Sequence, residues 1–212
     1  MKVFYHGGCF DGFCAAWLFH KYGGVDEENL IPVRYGDPIP DWKELAGYHV
    51  IVVGFSWPLG AMVAIANVCD HLTVLDHHSG AQEALDDFAS MSFENVDVVF
   101  DVGKSGARLA QEFLGCDGRD GGWLVDYTED RDLWRWRLPN SRGINAWLRS
   151  WELSLSLWDG FALMDPLIVV ESGKAILRAQ RQIVTAKVGQ SHDVKVGKDR
   201  WRVVNATTPI SE

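Results

Sequence analysis

Asp76, His77 and His78 stand side by side in the stretch Val74 to Ala81, V-L-D-H-H-S-G-A. Two adjacent imidazoles beside a carboxylate suit a divalent cation. Neutral histidine is a common nitrogen ligand, and a carboxylate either ligates as well or holds the ring in place. The plainer reading is a loop with two solvated histidines. The surroundings tell against it: the run follows the apolar, β-branched stretch Leu72 to Leu75 and precedes a helical pattern. It therefore lies where a strand of an α/β sheet delivers side chains to its carboxyl edge.

A second candidate loop, His6-Gly7-Gly8-Cys9-Phe10-Asp11-Gly12, closes the first apolar run and opens a helix at Phe13 to Ala16. Its glycines expose backbone N–H groups to an anion, and His6 and Asp11 each offer a metal ligand. A third strand end, Phe100-Asp101, leads into Gly103-Lys104-Ser105-Gly106-Ala107, which repeats the Ser79-Gly80-Ala81 arrangement after His78. Two helix N-termini and a lysine can then face one phosphate site. The run Glu129-Asp130-Arg131-Asp132 reads equally as a further carboxylate cluster or as a solvated helix end with surface ion pairs.

The elements that must position these residues can be read from hydrophobic patterning. Strands are expected at Lys2 to His6, Leu30 to Tyr35, His49 to Phe55, His71 to Asp76 and Val96 to Asp101. Helices are expected between them at Gly12 to Tyr22, Leu59 to Cys69, Gly80 to Ala89 and Ser105 to Leu114. Such alternation predicts an α/β fold with a doubly wound, mainly parallel five-stranded sheet. Beyond Gly121 the pattern turns helical and rich in tryptophan, continues as a long helix from about Asp165 to Val188, and ends in a short hairpin, His192 to Val196 with Trp201 to Asn205. Residues 1–163 form the expected main domain, and 164–212 a linker helix and the start of a second, truncated domain. The tryptophans are read first as core.

Composition bounds the function. A chain of 212 residues, 47% hydrophobic, can bury a sizeable core. It has no apolar run long enough to span a bilayer and no signal-peptide pattern, so a cytoplasmic location is expected. Cys9, Cys14, Cys69 and Cys116 have no metal-binding or disulfide-like spacing and are read as reduced thiols. A formal net charge of -9 disfavours long nucleic acid and permits a small anionic substrate held locally by a metal.

In order along the chain, Y-H-G-G-C-F-D-G-F-C-A-A-W, I-V-V-G-F-S-W-P, V-L-D-H-H-S-G-A, F-D-V-G-K-S-G-A-R-L-A and E-D-R-D-L-W resemble the DHH phosphoesterase superfamily. That superfamily includes RecJ-type exonucleases, nanoRNases and manganese-dependent pyrophosphatases. The resemblance implies metal-dependent phosphoester hydrolysis with Mn²⁺ or Mg²⁺. It implies His77, His78 and Asp76 as the catalytic group and His6, Asp11, His77 and Asp101 as metal ligands. Phosphate contacts are assigned to His78, Ser79, Gly80, Lys104, Ser105 and Arg131. The expected substrate is a short oligonucleotide or small nucleotide.

Three departures qualify this. Relatives usually carry a further carboxylate two residues after the first histidine, where this chain has Gly8. They carry an aspartate bridging both metals at the end of the second motif strand, where this chain has Gly54. Glycine has no side-chain ligand, so one firmly bound cation and impaired activity are expected. Finally, the stretch from Val204 to Glu212 resembles the opening of the superfamily's C-terminal substrate-binding domain, whose remainder is missing. The alternatives are a catalytically inactive nucleotide- or phosphate-binding relative, and an oligomerising protein that uses the segment Trp134 to Trp158 as its interface.

Overall fold

A computed structural model describes residues 1–91 and 93–204. Asn205 and the stretch to Glu212, on which the resemblance to a further domain partly rests, lie outside the described residues.

Five strands, β1 (Lys2–His6), β2 (Leu30–Val33), β3 (His49–Val53), β4 (His71–Asp76) and β5 (Val96–Phe100), form one sheet in the order β2-β1-β3-β4-β5. Every pairing is parallel. Pro32, which cannot donate to a ladder, sits in the edge strand β2.

Both faces of the sheet are covered, so the central strands read as continuous apolar runs. Alternate residues of β3 serve opposite cores: Ile51 and Val53 one, Val50 and Val52 the other. Helices α1 (Phe10–Lys21) and α5 (Gly106–Leu114) contribute to the first core. Helix α2 (Leu59–Ala66) contributes to the second, together with Leu85 and Phe88 around the short helices α3 (Ser79–Ala84) and α4 (Asp86–Ser90). The single helix expected over Gly80 to Ala89 is thus two, separated at Leu85, whose fully buried side chain fixes the break.

After β5 the chain is helical: α6 (Gly122–Asp132), α7 (Ser141–Leu148), α8 (Leu155–Ala162) and α9 (Val170–Gly189). The long helix begins at Val170 rather than Asp165, because Pro166 starts a 3₁₀ turn (Pro166–Val169) capped by the Asp165 carboxylate. Trp147 and Trp158 are core residues, Trp158 packing edge-on to Phe13 at 5.2 Å. Trp134 and Trp151 are exposed. Helix α9 crosses α7 at glycines: a Cβ on Gly173 would lie 2.0 Å from the Gly143 carbonyl oxygen. A hairpin of β6 (His192–Val196) and β7 (Asp199–Val203) comes last. Among the described residues no helix is long and apolar enough to cross a membrane, and all four cysteines are free thiols.

The chain runs outward from β1 to β2, then returns to place β3 on the other side of β1. The sheet therefore reverses direction between β1 and β3. In open α/β sheets the crevice at the carboxyl ends beside such a reversal is the usual ligand site, and His6 and Gly54 stand at its two lips.

Candidate metal centre

Asp76 ends β4 fully buried. Its Oδ1 accepts the backbone N–H groups of His77 (2.7 Å) and His78 (3.2 Å) and pairs with Nδ1 of His78 at 2.8 Å. Its Oδ2 accepts the Ser56 hydroxyl at 2.6 Å. Burial opposes ionisation of Asp76, but the hydrogen bonds from His78 and Ser56 outweigh it and hold the carboxyl below its ordinary range. With both oxygens engaged, Asp76 orients the two histidines. The hydrogen bond to Asp76 raises the pKa of His78 against the effect of burial. With Nδ1 turned to Asp76, the other ring nitrogen of this half-exposed side chain is left for a ligand.

His77 faces a different pair. Its Nε2 lies 3.6 Å from Oδ2 of Asp11 and 3.8 Å from Oδ2 of Asp132. These separations exceed a hydrogen bond. A divalent cation with ligand distances of about 2.1 Å keeps its donor atoms roughly 3.0–3.5 Å apart; the two separations from His77 need only a small contraction to meet that, and all three atoms lie within 4.8 Å of one another. Nitrogen with two carboxylates suits Mn²⁺, Mg²⁺, Fe²⁺ or Zn²⁺.

The three candidate ligands come from three separate segments. Asp11 is held rigidly: buried at the start of α1, it accepts the N–H groups of Gly106 (2.9 Å, Oδ2) and Ala107 (2.8 Å, Oδ1) at the N-terminus of α5. Asp132 is the last residue of α6, fixed from behind by a strained turn. Trp134 and Trp136 adopt positive φ of 55° and 52°, and the Asp130 carbonyl accepts the N–H groups of Arg135 and Trp136. Burial, reinforced by the charge of Asp11, pushes Asp132 up to about 7. Burial lowers the pKa of His77 and favours the neutral imidazole that a metal requires.

His6 ends β1 with its ring 6.5 Å from that of His78 and 5.4 Å from that of Tyr35. Gly54 lies between His6 and Asp11. A Cβ there would sit 3.6 Å from Asp11 Oδ2 and 3.8 Å from the His6 Cβ. A side chain at this position would enter the centre directly.

The structure does not bring the remaining expected residues into this cluster. Asp101 comes directly after β5, but its carboxylate accepts the Gly103 N–H and pairs with Lys104 at 3.3 Å; Lys104 also pairs with Glu112 at 2.7 Å. The carboxylate takes a local backbone donor and the lysine two local acids, and neither is grouped with His77 among the described residues. Ser105 is buried, with its hydroxyl capping α5 at Arg108 and its N–H donating to Glu129. The start of α5 is thus filled by Asp11, Glu129 and Ser105 itself, and an expected phosphate site there is closed. Ser79 and Gly80 are exposed at the start of α3 beside His78. Arg131 is half-buried, close enough to Asp132 to affect its charge.

Asp132 is a candidate ligand that the family resemblance did not select. A signal was present: Val125, Thr128 and Asp132 recur at helical spacing, and the first two are buried. That face of α6 points inward, so the acidic run is not a solvated end.

No protein-family profile matches the chain. An uncharacterised protein of Acanthamoeba polyphaga mimivirus is 27% identical over 197 residues, covering 86% of this chain and 45% of its own length. The chain therefore spans about half the length of the curated relative it matches.

Proposed function

We propose that this chain is a metal-dependent phosphoesterase of the DHH type, acting on a phosphodiester or phosphomonoester of a short oligonucleotide or small nucleotide. The observation that supports it most is the convergence of Asp11, His77 and Asp132 on one point at the carboxyl edge of the sheet, with His78 alongside.

A bound divalent cation supplies Lewis acidity toward a phosphate oxygen and a water. The chain's own residues do the rest. Asp11 and Asp132 provide compensating negative charge, and His77 remains neutral and ligates. His78, whose protonated form the hydrogen bond to Asp76 favours, donates its second N–H as an imidazolium to a phosphate oxygen as negative charge develops in the transition state. Ser56 and the backbone at His77 and His78 keep Asp76 in place, which fixes the His78 ring and the backbone from which His77 projects.

Because Gly8 and Gly54 offer no carboxylate, the reading includes one firmly held cation, Mn²⁺ or Mg²⁺, and a low turnover. The same two glycines favour a second reading, a nucleotide-binding relative without catalysis. One experiment separates them. The protein is incubated with a short oligonucleotide and Mn²⁺, and mononucleotide release is compared with that of His77→Ala. Release by the parent that the variant loses supports the enzyme. Calorimetric binding of nucleotide without release supports the second reading.

A further inference from the structure

We infer that the cavity between the loop Arg34 to Ile39 and the segment Phe55 to Pro58 seats one nucleoside of the substrate, with Arg34 as the cation that binds its phosphate. The inference rests on the phosphoesterase reading and deepens it.

The cavity lies over the carboxyl ends of β2, β1 and β3 and has a volume of about 250 Å³. Sites for drug-sized ligands occupy roughly 300–1,000 Å³, so this one is scaled to a single nucleoside rather than a longer ligand. His6, Arg34, Tyr35, Ile39, Phe55 and Trp57 are among its lining residues. His6 belongs to both regions: its ring lies 5.4 Å from that of Tyr35 and 6.5 Å from that of His78. A phosphate against His78 would therefore direct its attached nucleoside past His6 into the cavity.

The walls suit a planar base. Trp57 is buried and wedged edge-on between Phe4 (5.1 Å) and Phe55 (5.0 Å), so it cannot swing aside. Tyr35 is 70% exposed, an apolar ring left in solvent at the cavity's mouth. Aromatic faces of this kind stack bases with little sequence preference.

Arg34 supplies the charge. Its Nε and Nη2 each lie 3.6 Å from where a Cβ on Gly8 would be, so the guanidinium lies over the glycine that stands in place of a carboxylate. Among the described residues its guanidinium has no ion pair or hydrogen bond. Asp37, the acid nearest in the loop, instead caps the Arg34 backbone N–H at 2.7 Å. In a chain of net charge -9, an unpaired arginine at the lip of a phosphate site is a recognition device: its planar fork matches phosphate oxygens. The loss of the Gly8 carboxylate thus leaves room for an organic cation beside the site.

The test is calorimetry on the full chain without added metal, using adenosine 5′-monophosphate, adenosine, inorganic phosphate and the dinucleotide pApA. The monophosphate is expected to bind. Arg34→Gln should weaken it at least tenfold while leaving adenosine unchanged, and Tyr35→Ala should weaken both. Both side chains are exposed, and an unchanged Tm verifies the fold of each variant. A dinucleotide that binds more tightly than the monophosphate assigns the site to a chain end, and equal affinity to a free nucleotide; both support the subsite. Absence of nucleotide binding, or binding indifferent to both variants, overturns it. Metal-dependent cleavage lost in His77→Ala would still support the phosphoesterase reading in that event. Conversely, binding sensitive to Arg34 without any cleavage would leave the subsite standing and remove the enzyme.

Discussion

Oδ2 of Asp11 lies 3.6 Å from Nε2 of His77 and also accepts the Gly106 N–H at 2.9 Å. One carboxylate thus serves as the cap of α5 and as one wall of the candidate metal centre. A buried charge needs partners, and here two backbone donors at a helix N-terminus provide them before any cation binds. Asp11→Asn replaces one acceptor by an amide that faces an N–H. This should cost on the order of 1–3 kcal/mol of stability and abolish cation binding. Denaturant unfolding with and without Mn²⁺ measures both. An unchanged stabilisation by Mn²⁺ in the variant would place the cation elsewhere.

Asp132 should behave in the opposite way. Its pKa is raised to about 7 when folded, chiefly by burial, against about 3.9 unfolded. The folded state therefore holds the proton more tightly. The stability this contributes is complete below about pH 4 and is lost as the pH rises toward 7. Asp132→Asn removes the charge at that cost. The metal-free variant should match the parent near pH 4 and exceed it by on the order of 1–3 kcal/mol at pH 8. It should also lose cation binding. The parent's affinity should fall below pH 7, because the proton on Asp132 competes with the metal. Unfolding curves across pH and a Mn²⁺ titration at pH 6 and 8 measure this. A pH-independent difference between parent and variant would refute it.

Asp101 and Asp132 make a matched pair for testing the ligand assignment. Asp101 is half-exposed and committed to Gly103 and Lys104. Asp101→Ala should change Mn²⁺ affinity by no more than about twofold, the scale of a screened surface charge. Asp132→Ala should lose at least about a hundredfold, as expected when one of three protein ligands is removed. Isothermal titration of the two variants decides which acid belongs to the centre.

These acids also mark where the sequence could be read and where it could not. The parallel sheet, its helices and the placement of Asp76 to His78 at a strand end arise from apolar runs and turn residues, which are local signals. The break at Leu85 and the start of α9 turn on one buried leucine and one proline, and shift the boundaries by a few residues. Asp101 as a metal ligand and Lys104 as a phosphate contact are plausible because both lie just past a strand end, yet both have short-range partners in the structure. Asp132 stays among the alternatives in the sequence: helical spacing puts it on the face of Val125 and Thr128, but that this face meets α1 and α5 beside Asp11 and His77 is a long-range contact that the local pattern does not encode. The positive φ angles at Trp134 and Trp136, which hold the end of α6, are likewise invisible in a string containing no glycine there.

Gly54 offers the sharpest gain-of-function test. It occupies the lip between His6 and Asp11, and the atoms nearest an added Cβ lie at 3.6–3.9 Å, ordinary contact distances. Space therefore permits a side chain, but the backbone resists it. With φ at 71°, a residue other than glycine costs about 1–2 kcal/mol, least for Asp and Asn. A carboxylate there also adds repulsion against Asp11. Gly54→Asp should therefore lower the Tm of the metal-free protein. With Mn²⁺ the same carboxylate can reach both His6 and the Asp11–His77–Asp132 cluster, so the variant should recover its stability. Its metal content should rise from about one to about two per chain, and phosphodiester cleavage by at least about tenfold, as two-cation sites clamp both sides of the displacement. Elemental analysis alongside cleavage of a short oligonucleotide reads both. If metal content and rate stay at the parent's values while the Tm falls, Gly54 is a structural turn glycine and the centre is built for a single cation.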